Sequence, residues 1–177
     1  NIGSTPRTAD VPGATGNVVP VKPIHRFIDR WQTMSERILT HAEGARIGVV
    51  GGGAGGVEIL LAVRHRMRQL LAREGRSEDI LKFHLFTDTD SVLPTHNARV
   101  REKFRRVLEG HGVHVHTGHP VSGVEPGILK NGDGSNYALD EILWVTAAGA
   151  ASWLGDSGLE VDAHGFVKVN DALQSLS

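Results

Sequence analysis

The sequence predicts an α/β fold, a Rossmann-like parallel sheet with a three-stranded β-meander crossover. Three observations predict it. The run Arg46-Ile-Gly-Val-Val-Gly-Gly-Gly-Ala-Gly-Gly-Val-Glu58 is a short apolar strand, then six residues of which only Ala54 is not glycine, then the start of a helical pattern. A second strand, a second amphipathic helix and a third strand follow. The pattern then turns to short strands alone before one more apolar strand, which is a βαβαβ half-sheet with a meander on its way back.

Taken in order, residues 1–23 are proline-rich and read as an extended connector. Phe27, Ile28, Trp31, Met34 and Ile38 recur at helical spacing, which predicts a helix over 23–41 ended by Gly44. The strand at 46–50 is apolar on consecutive positions from Ile47, as a central parallel strand covered on both faces should be. The next helix opens at Gly55 and runs to Arg73. Val57, Leu60, Leu61 and Leu71 point inward, and Arg64, Arg66, Arg68 and Arg73 outward. A loop at 74–79 leads to a strand at 82–87, closed by Asp88-Thr-Asp-Ser91 at the end where ligands gather in open α/β sheets. A helix over 97–111 carries Val100, Phe104, Val107 and Leu108 on one stripe, with Gly112 after it and a strand at 113–117. The meander strands are 121–124, 128–130 and 136–139, the last two joined by Asn131-Gly-Asp-Gly134. The strand at 141–146 ends at Ala147-Ala-Gly149. Residues 150–177 hold Trp153-Leu154, a break at Gly158-Leu159 and an extended stretch at 165–169.

Composition narrows the function classes. Hydrophobic residues make up 40% and charged residues 22% of the 177, with a net charge of −1, which fits a globular domain without whole-chain attraction to nucleic acid or a membrane surface. No apolar run approaches about 18 residues, so no transmembrane segment is predicted. The absence of cysteine excludes a disulfide framework, a thiolate metal site and a redox-active thiol within this chain. That is compatible with a cytoplasmic protein.

Gly51, Gly53 and Gly56 fit G-x-G-x-x-G in its required context, after a buried strand and at the opening of a helix. Gly51 permits the tight turn, Gly53 lets a pyrophosphate approach the backbone, and Gly56 lets helix and sheet pack closely. The free N–H groups and positive dipole end of the helix face the phosphates. The expected ligand is a dinucleotide.

The whole order resembles the NAD(P)-binding domain of the two-dinucleotide-binding flavoprotein reductases, also called pyridine nucleotide-disulfide oxidoreductases. In that family this domain is inserted into an FAD-binding domain. Ile2-Gly3-Ser4-Thr5-Pro6 resembles the strand end before the insertion, and Trp144-Val-Thr-Ala-Ala-Gly149 the motif after it. Gly165-Phe-Val-Lys-Val-Asn170 with Leu173-Gln174-Ser175 resembles the run before the second flavin segment. The chain begins without Met and reads as an excised piece, its FAD bound mainly by segments outside it. The implied division is 1–44, connector and helix from the flanking FAD domain; 45–149, the NAD(P)-binding domain; and 150–177, a return segment. The resemblance is closer to the cysteine-independent branch typified by type II NADH dehydrogenases. Val21-Lys-Pro-Ile-His-Arg-Phe27 and Ser152-Trp-Leu154 also resemble flavoprotein modules fused to selenide, water dikinase. A location at the periphery of the inner membrane stays open for the full-length protein.

The resemblance implies residue roles. The loop Gly51, Gly52, Gly53, Ala54, Gly55 and Gly56 lines the pyrophosphate. Glu58 in G-x-x-G-x-E is either the family's glutamate near the nicotinamide or an ordinary first-turn glutamate favoured by the helix dipole. The ribose carboxylate departs from pattern. Thr87 aligns best, with Asp88 one residue later and 32 residues past Gly56 (88 − 56), against about 20 in the fingerprint. No arginine lies in 83–94 to meet a 2′-phosphate, which favours NAD, with NADP reachable through Arg64, Arg99 or Arg101. Gly149 stands two positions after the family's glycine, which aligns with Ala147, and it joins the candidate cofactor residues. The expected function is to pass hydride from NADH to flavin and on to an unidentified acceptor, with no catalytic nucleophile or base in this chain. A non-catalytic nucleotide-sensing module that regulates a fused partner is the alternative.

The remaining clusters carry less. His111, His114, His116 and His119 crowd one region, but Val113 and Val115 supply the buried face of their strand, so the histidines are expected outward and no metal site is predicted. The arginines of the two helices lack the net charge and interleaved aromatics of a nucleic-acid surface. Trp31, Trp144 and Trp153 are expected in core or inter-domain packing.

Overall fold

The computed structural model describes residues 5–40, 43–146, 148–151 and 153–177. The Ile2–Ser4 part of the predicted strand end, His41, Ala147 and Ser152 lie outside the described residues. In chain order the elements are β1 (Thr5–Pro6), α1 (Ala14–Asn17), β2 (Val19–Pro20), α2 (Ile24–Thr40), β3 (Ala45–Val50), α3 (Ala54–Arg73), β4 (Leu81–Phe86), α4 (Ala98–Gly110) and β5 (Val113–His116). The meander β6 (Val121–Glu125), β7 (Ile128–Asn131) and β8 (Asn136–Ala138) follows, then β9 (Glu141–Trp144), β10 (Ala148–Gly149) and α5 (Trp153–Asp156).

Five strands form one parallel sheet in the order β2-β9-β3-β4-β5, and β6, β7 and β8 form an antiparallel sheet of their own. The period of two along each parallel strand splits the side chains between two covers. Ile47, Val49, Phe83, Leu85, Val113 and Leu143 join one core with Val57, Leu60, Val63, Met67 and Leu71 of α3. Val50, Phe86, Ile142 and Trp144 join a second core with Val124, Leu129 and Leu139 of the meander region and Ala14 of α1. Both faces are covered, as a parallel sheet requires.

The helices form where the stripes predict, with local corrections. In α3 the buried row is Val57, Leu60, Val63, Met67 and Leu71, at spacings of three and four. Leu61, expected inward, sits on the flank of that row and is half-buried. In α2, Phe27, Met34 and Ile38 are buried, whereas Ile28, expected on the same stripe, is 61% exposed. The Asn97 side-chain oxygen accepts from Val100 N–H at 3.0 Å and starts α4.

Two further readings change. The connector is not simply extended, because Thr8–Asp10 forms a 3-10 turn and α1 packs on β6. The stretch at 165–169 forms no strand, only the isolated bridges Val161↔Val167 and Val169↔Ser175, because its backbone partners are single residues of the adjoining turns, such as Glu160 and Leu176. Trp144 is buried and Trp31 packs on the helix-side core, while Trp153 is 53% exposed. Among the described residues no helix is long and apolar enough to cross a membrane.

Candidate functional site

A cavity of about 540 Å³ opens at the carboxyl end of the parallel sheet. Gly51, Gly52 and Gly53 follow β3, Thr87 and Asp88 follow β4, His119 and Pro120 lie beyond β5, and Val145 and Thr146 follow β9. These walls are continuations of strands, so sheet register positions this part of the site.

The glycine loop has the shape its spacing implies. Gly51 has φ +123°, and a Cβ there would lie 2.4 Å from the Val145 carbonyl oxygen. A Cβ on Gly56 would lie 1.7 Å from the Gly51 carbonyl oxygen, so only glycine lets α3 start this close to the turn. At Gly53 a Cβ would meet nothing within 4 Å, and this residue lines the cavity. Gly53 is also the N-cap of α3 and supplies no side-chain cap, which leaves the positive helix end to a ligand.

Of the predicted residues, Gly51, Gly52, Gly53, Thr87 and Asp88 line one cavity. Ala54, Gly55, Gly56 and Glu58 belong to α3 and are not part of its lining. Glu58 is exposed and lies beyond the first turn, because the helix begins at Ala54, so the first-turn dipole argument does not account for it. Gly149 is buried and pairs with Thr5 in β1–β10, also away from the lining.

Thr87 and Asp88 divide the work that alignment left ambiguous. Thr87 is 5% exposed, shares a 2.8 Å hydrogen bond between its hydroxyl and that of Thr89, and packs against Gly52, where a Cβ would come 2.6 Å from the Thr87 Cβ. It holds the turn. Asp88 is exposed at the cavity, and its carboxylate has no hydrogen bond or ion pair with another described residue.

Sequence reading missed several lining residues. Arg7, Asp10 and Val11 arrive from the connector, which no local pattern in 1–23 announces. His119 lies at the far rim with Nδ1 3.1 Å from Asp133 Oδ2, and Asp133 is held below the usual carboxylate range chiefly by the Ser135 hydroxyl. Two buried polar atoms of lining residues, Trp144 Nε1 and Thr146 Oγ1, have no hydrogen-bond partner among the described residues. The rule that ligands gather beyond strand ends would have pointed to Thr146.

Of the four histidines, His111 and His114 are exposed as expected and His119 lies at the cavity rim, whereas His116 is half-buried beside His84. Gly48↔His84↔His114 and Val50↔Phe86↔His116 are register rows of the parallel sheet, on the face opposite Val113. His84 Nδ1 lies 3.1 Å from His116 Nε2, the His84 and His114 rings stack at 5.0 Å, and Tyr137 of β8 meets His116 edge-on at 4.6 Å. The meander, through Tyr137, covers the His84 and His116 part of this face, which sequence reading treated as open. Burial first, then the neighbouring charges of His116, His114 and Arg46, lowers the His84 pKa to about 4, and burial also lowers that of His116. Among the described residues no three His, Cys, Asp or Glu side chains are grouped to hold a metal.

The cavity therefore offers an uncapped helix end, open space over Gly53, a free carboxylate and apolar walls. These groups fit a nucleotide ligand with a phosphate link and a ribose diol. Residues 2–176 match the pyridine nucleotide-disulphide oxidoreductase family. The NADH dehydrogenase-like protein YutJ of Bacillus subtilis is 24% identical over 164 residues, 93% of this chain and 42% of that protein. The chain thus spans less than half the length of that curated relative. The structure of Plasmodium falciparum NDH2 in complex with NADH superposes with a TM-score of 0.78 at 14% identity, covering 94% of this chain and 38% of that one. An engineered water-forming NADPH oxidase bound to NADPH gives 0.73 at 17% identity, covering 98% of this chain and 35% of that one.

Proposed function

The chain belongs to the pyridine nucleotide-disulphide oxidoreductase family, and on that footing we propose that it is the nicotinamide-dinucleotide-binding part of an FAD-dependent NAD(P)H oxidoreductase. One observation carries this reading. The open glycine loop at the uncapped start of α3 and the unpartnered Asp88 carboxylate share one cavity. The loop receives the pyrophosphate, and Asp88 accepts from the adenosine ribose hydroxyls. Two relatives support a nicotinamide ligand, since one neighbouring structure holds NADH and another NADPH.

The hydride chemistry belongs to the nicotinamide and the flavin, and this chain contributes binding and orientation. Thr87 fixes the turn that presents Asp88, Gly56 fixes the helix against the loop, and Thr146 offers its unpartnered hydroxyl at the cavity wall. Residues 1–44 and 150–177 are the connections to the flavin-binding part. The exposed Phe166, Val169, Leu173 and Leu176 are consistent with a segment that packs elsewhere in the whole protein. The free carboxylate beside Thr87 favours NADH, because a 2′-phosphate would meet it as a like charge.

Calorimetry with NADH and NADPH on the wild type and on Asp88→Ala tests this. NADH should bind the wild type more tightly than NADPH, and the variant should lose about tenfold for NADH, or about 1.4 kcal/mol. Absence of binding by either dinucleotide would overturn the reading. Equal NADH binding by both proteins would remove Asp88 from the site.

A further inference from the structure

The cavity mouth contains a cation that the glycine loop does not explain. Arg7 lines the same space as Gly51, Gly52, Gly53 and Asp88. Two contacts put it there. Thr5 pairs with Gly149 in β1–β10, a few residues beyond Val145, whose carbonyl borders Gly51. Farther along, Val124 N–H donates to the Pro12 carbonyl at 2.9 Å, which pins the Thr8–Asp10 turn and α1 against β6. The connector is thereby strapped across the site at both ends.

Charge makes this placement consequential. Among the described residues that line the cavity, Arg7 is the only lysine or arginine, and Asp10 and Asp88 are both carboxylates. His119 is engaged with Asp133. A dinucleotide pyrophosphate would therefore meet two carboxylates, offset by roughly half a charge from the α3 end and by Arg7. Arg7 Nε lies 2.6 Å from Asp10 Oδ2, with about half of each side chain exposed, so the guanidinium keeps donors for a second anion.

We propose that Arg7 is a pyrophosphate-binding residue delivered by the connector, with Asp10 as the competing anion it pairs with in the free protein. The guanidinium donates to phosphate oxygens of a dinucleotide laid over Gly51, Gly52 and Gly53, while Asp10 holds the side chain at the mouth in the free protein. Cofactor occupancy and connector position are then linked. This rests on the dinucleotide reading above.

The test is titration of the 177-residue chain with NADH and with ADP-ribose, which shares the pyrophosphate but lacks nicotinamide. Arg7→Gln should weaken both ligands about tenfold and by the same factor, with an unchanged thermal midpoint. Arg7→Lys should stay within about threefold of wild type, and Asp10→Asn should bind at least as tightly as wild type. Arg7→Gln within twofold of wild type for both ligands would overturn the proposal. So would a loss confined to NADH, which would place Arg7 at the nicotinamide, or Arg7→Lys binding as poorly as Arg7→Gln. Should Arg7→Gln fail to fold, the Lys and Asn variants decide, and a tenfold loss in Asp10→Asn counts against the proposal. Wild-type chain that binds neither ligand is a different result and removes the dinucleotide reading itself.

Discussion

The two faces of the parallel sheet are built from alternate residues of the same strands, yet they differ in chemistry. Toward the helices, Ile47, Val49, Phe83, Leu85, Val113 and Leu143 make an uninterrupted apolar layer. Toward the meander, the rows run Gly48, His84, His114 and Val50, Phe86, His116. One face is apolar and closed by α2, α3 and α4. The other is closed by a thin antiparallel sheet that leaves His84 and His116 half-buried. The helix face supplies stability and fixes the glycine loop, and the meander face places titratable groups a few residues from the cavity.

If that division is right, the largest stability loss belongs to the helix face. Leu60 is fully buried between α3 and the sheet. Leu60→Ala should cost about 4 kcal/mol in denaturant unfolding, because a cavity adds to the lost transfer energy. The loss should not depend on pH between 5 and 8, roughly the range where histidine is the side chain that titrates. A strongly pH-dependent loss would mean that the two faces are coupled more tightly than their separate cores indicate.

Gly56→Ala is the next step down in stability and the sharpest on function. Its Cβ would sit 1.7 Å from the Gly51 carbonyl, so either the first turn of α3 or the loop must move. A cost of about 3 kcal/mol is expected for such a backbone clash, together with loss of NADH binding by the folded fraction. Gly53→Ala, where a Cβ meets nothing within 4 Å, is the matched control and should leave stability within about 0.5 kcal/mol while it weakens binding. If Gly53→Ala bound NADH as well as wild type, no phosphate would lie over that residue.

These contrasts show which parts of the molecule the sequence made legible. Strands, helices and the meander follow from local periodicity, and the glycine loop from spacing plus context, so the half of the site carried by β3 and β4 could be read. Asp88 was legible as a candidate, but its separation from Thr87 was not, since it depends on Thr87 packing against Gly52 across the sheet. Arg7 and Asp10 were not legible. They reach the cavity through the β1–β10 pairing and the Val124–Pro12 hydrogen bond, contacts between positions far apart in the chain. His116 was misread for a related reason, while His111 and His114 are exposed as expected. Alternation tells which residues share a face, and it is silent on what later segment covers that face.

The smallest effect tests that covered face by acid. In the unfolded chain His84 titrates near the ordinary value of 6.5, and in the fold its pKa is about 4. Below pH 6.5 the unfolded chain binds a proton that the folded ladder refuses, so stability falls with pH. The contribution is complete above pH 6.5 and is lost progressively as the pH drops to about 4. His116 is shifted in the same direction and steepens the slope. The carboxylates with lowered values, Asp133, Asp162 and Glu102, start from 3.8 or 4.5 and act at more acid pH, which leaves the window from 6.5 to about 5 to the histidines. Thermal midpoints measured across that window should fall for the wild type and fall less for His84→Phe, which keeps a ring beside Phe86 and removes the titrating group. Parallel curves for the two proteins would mean that the ladder tolerates protonation, and that the meander face is no more acid-sensitive than the helix face.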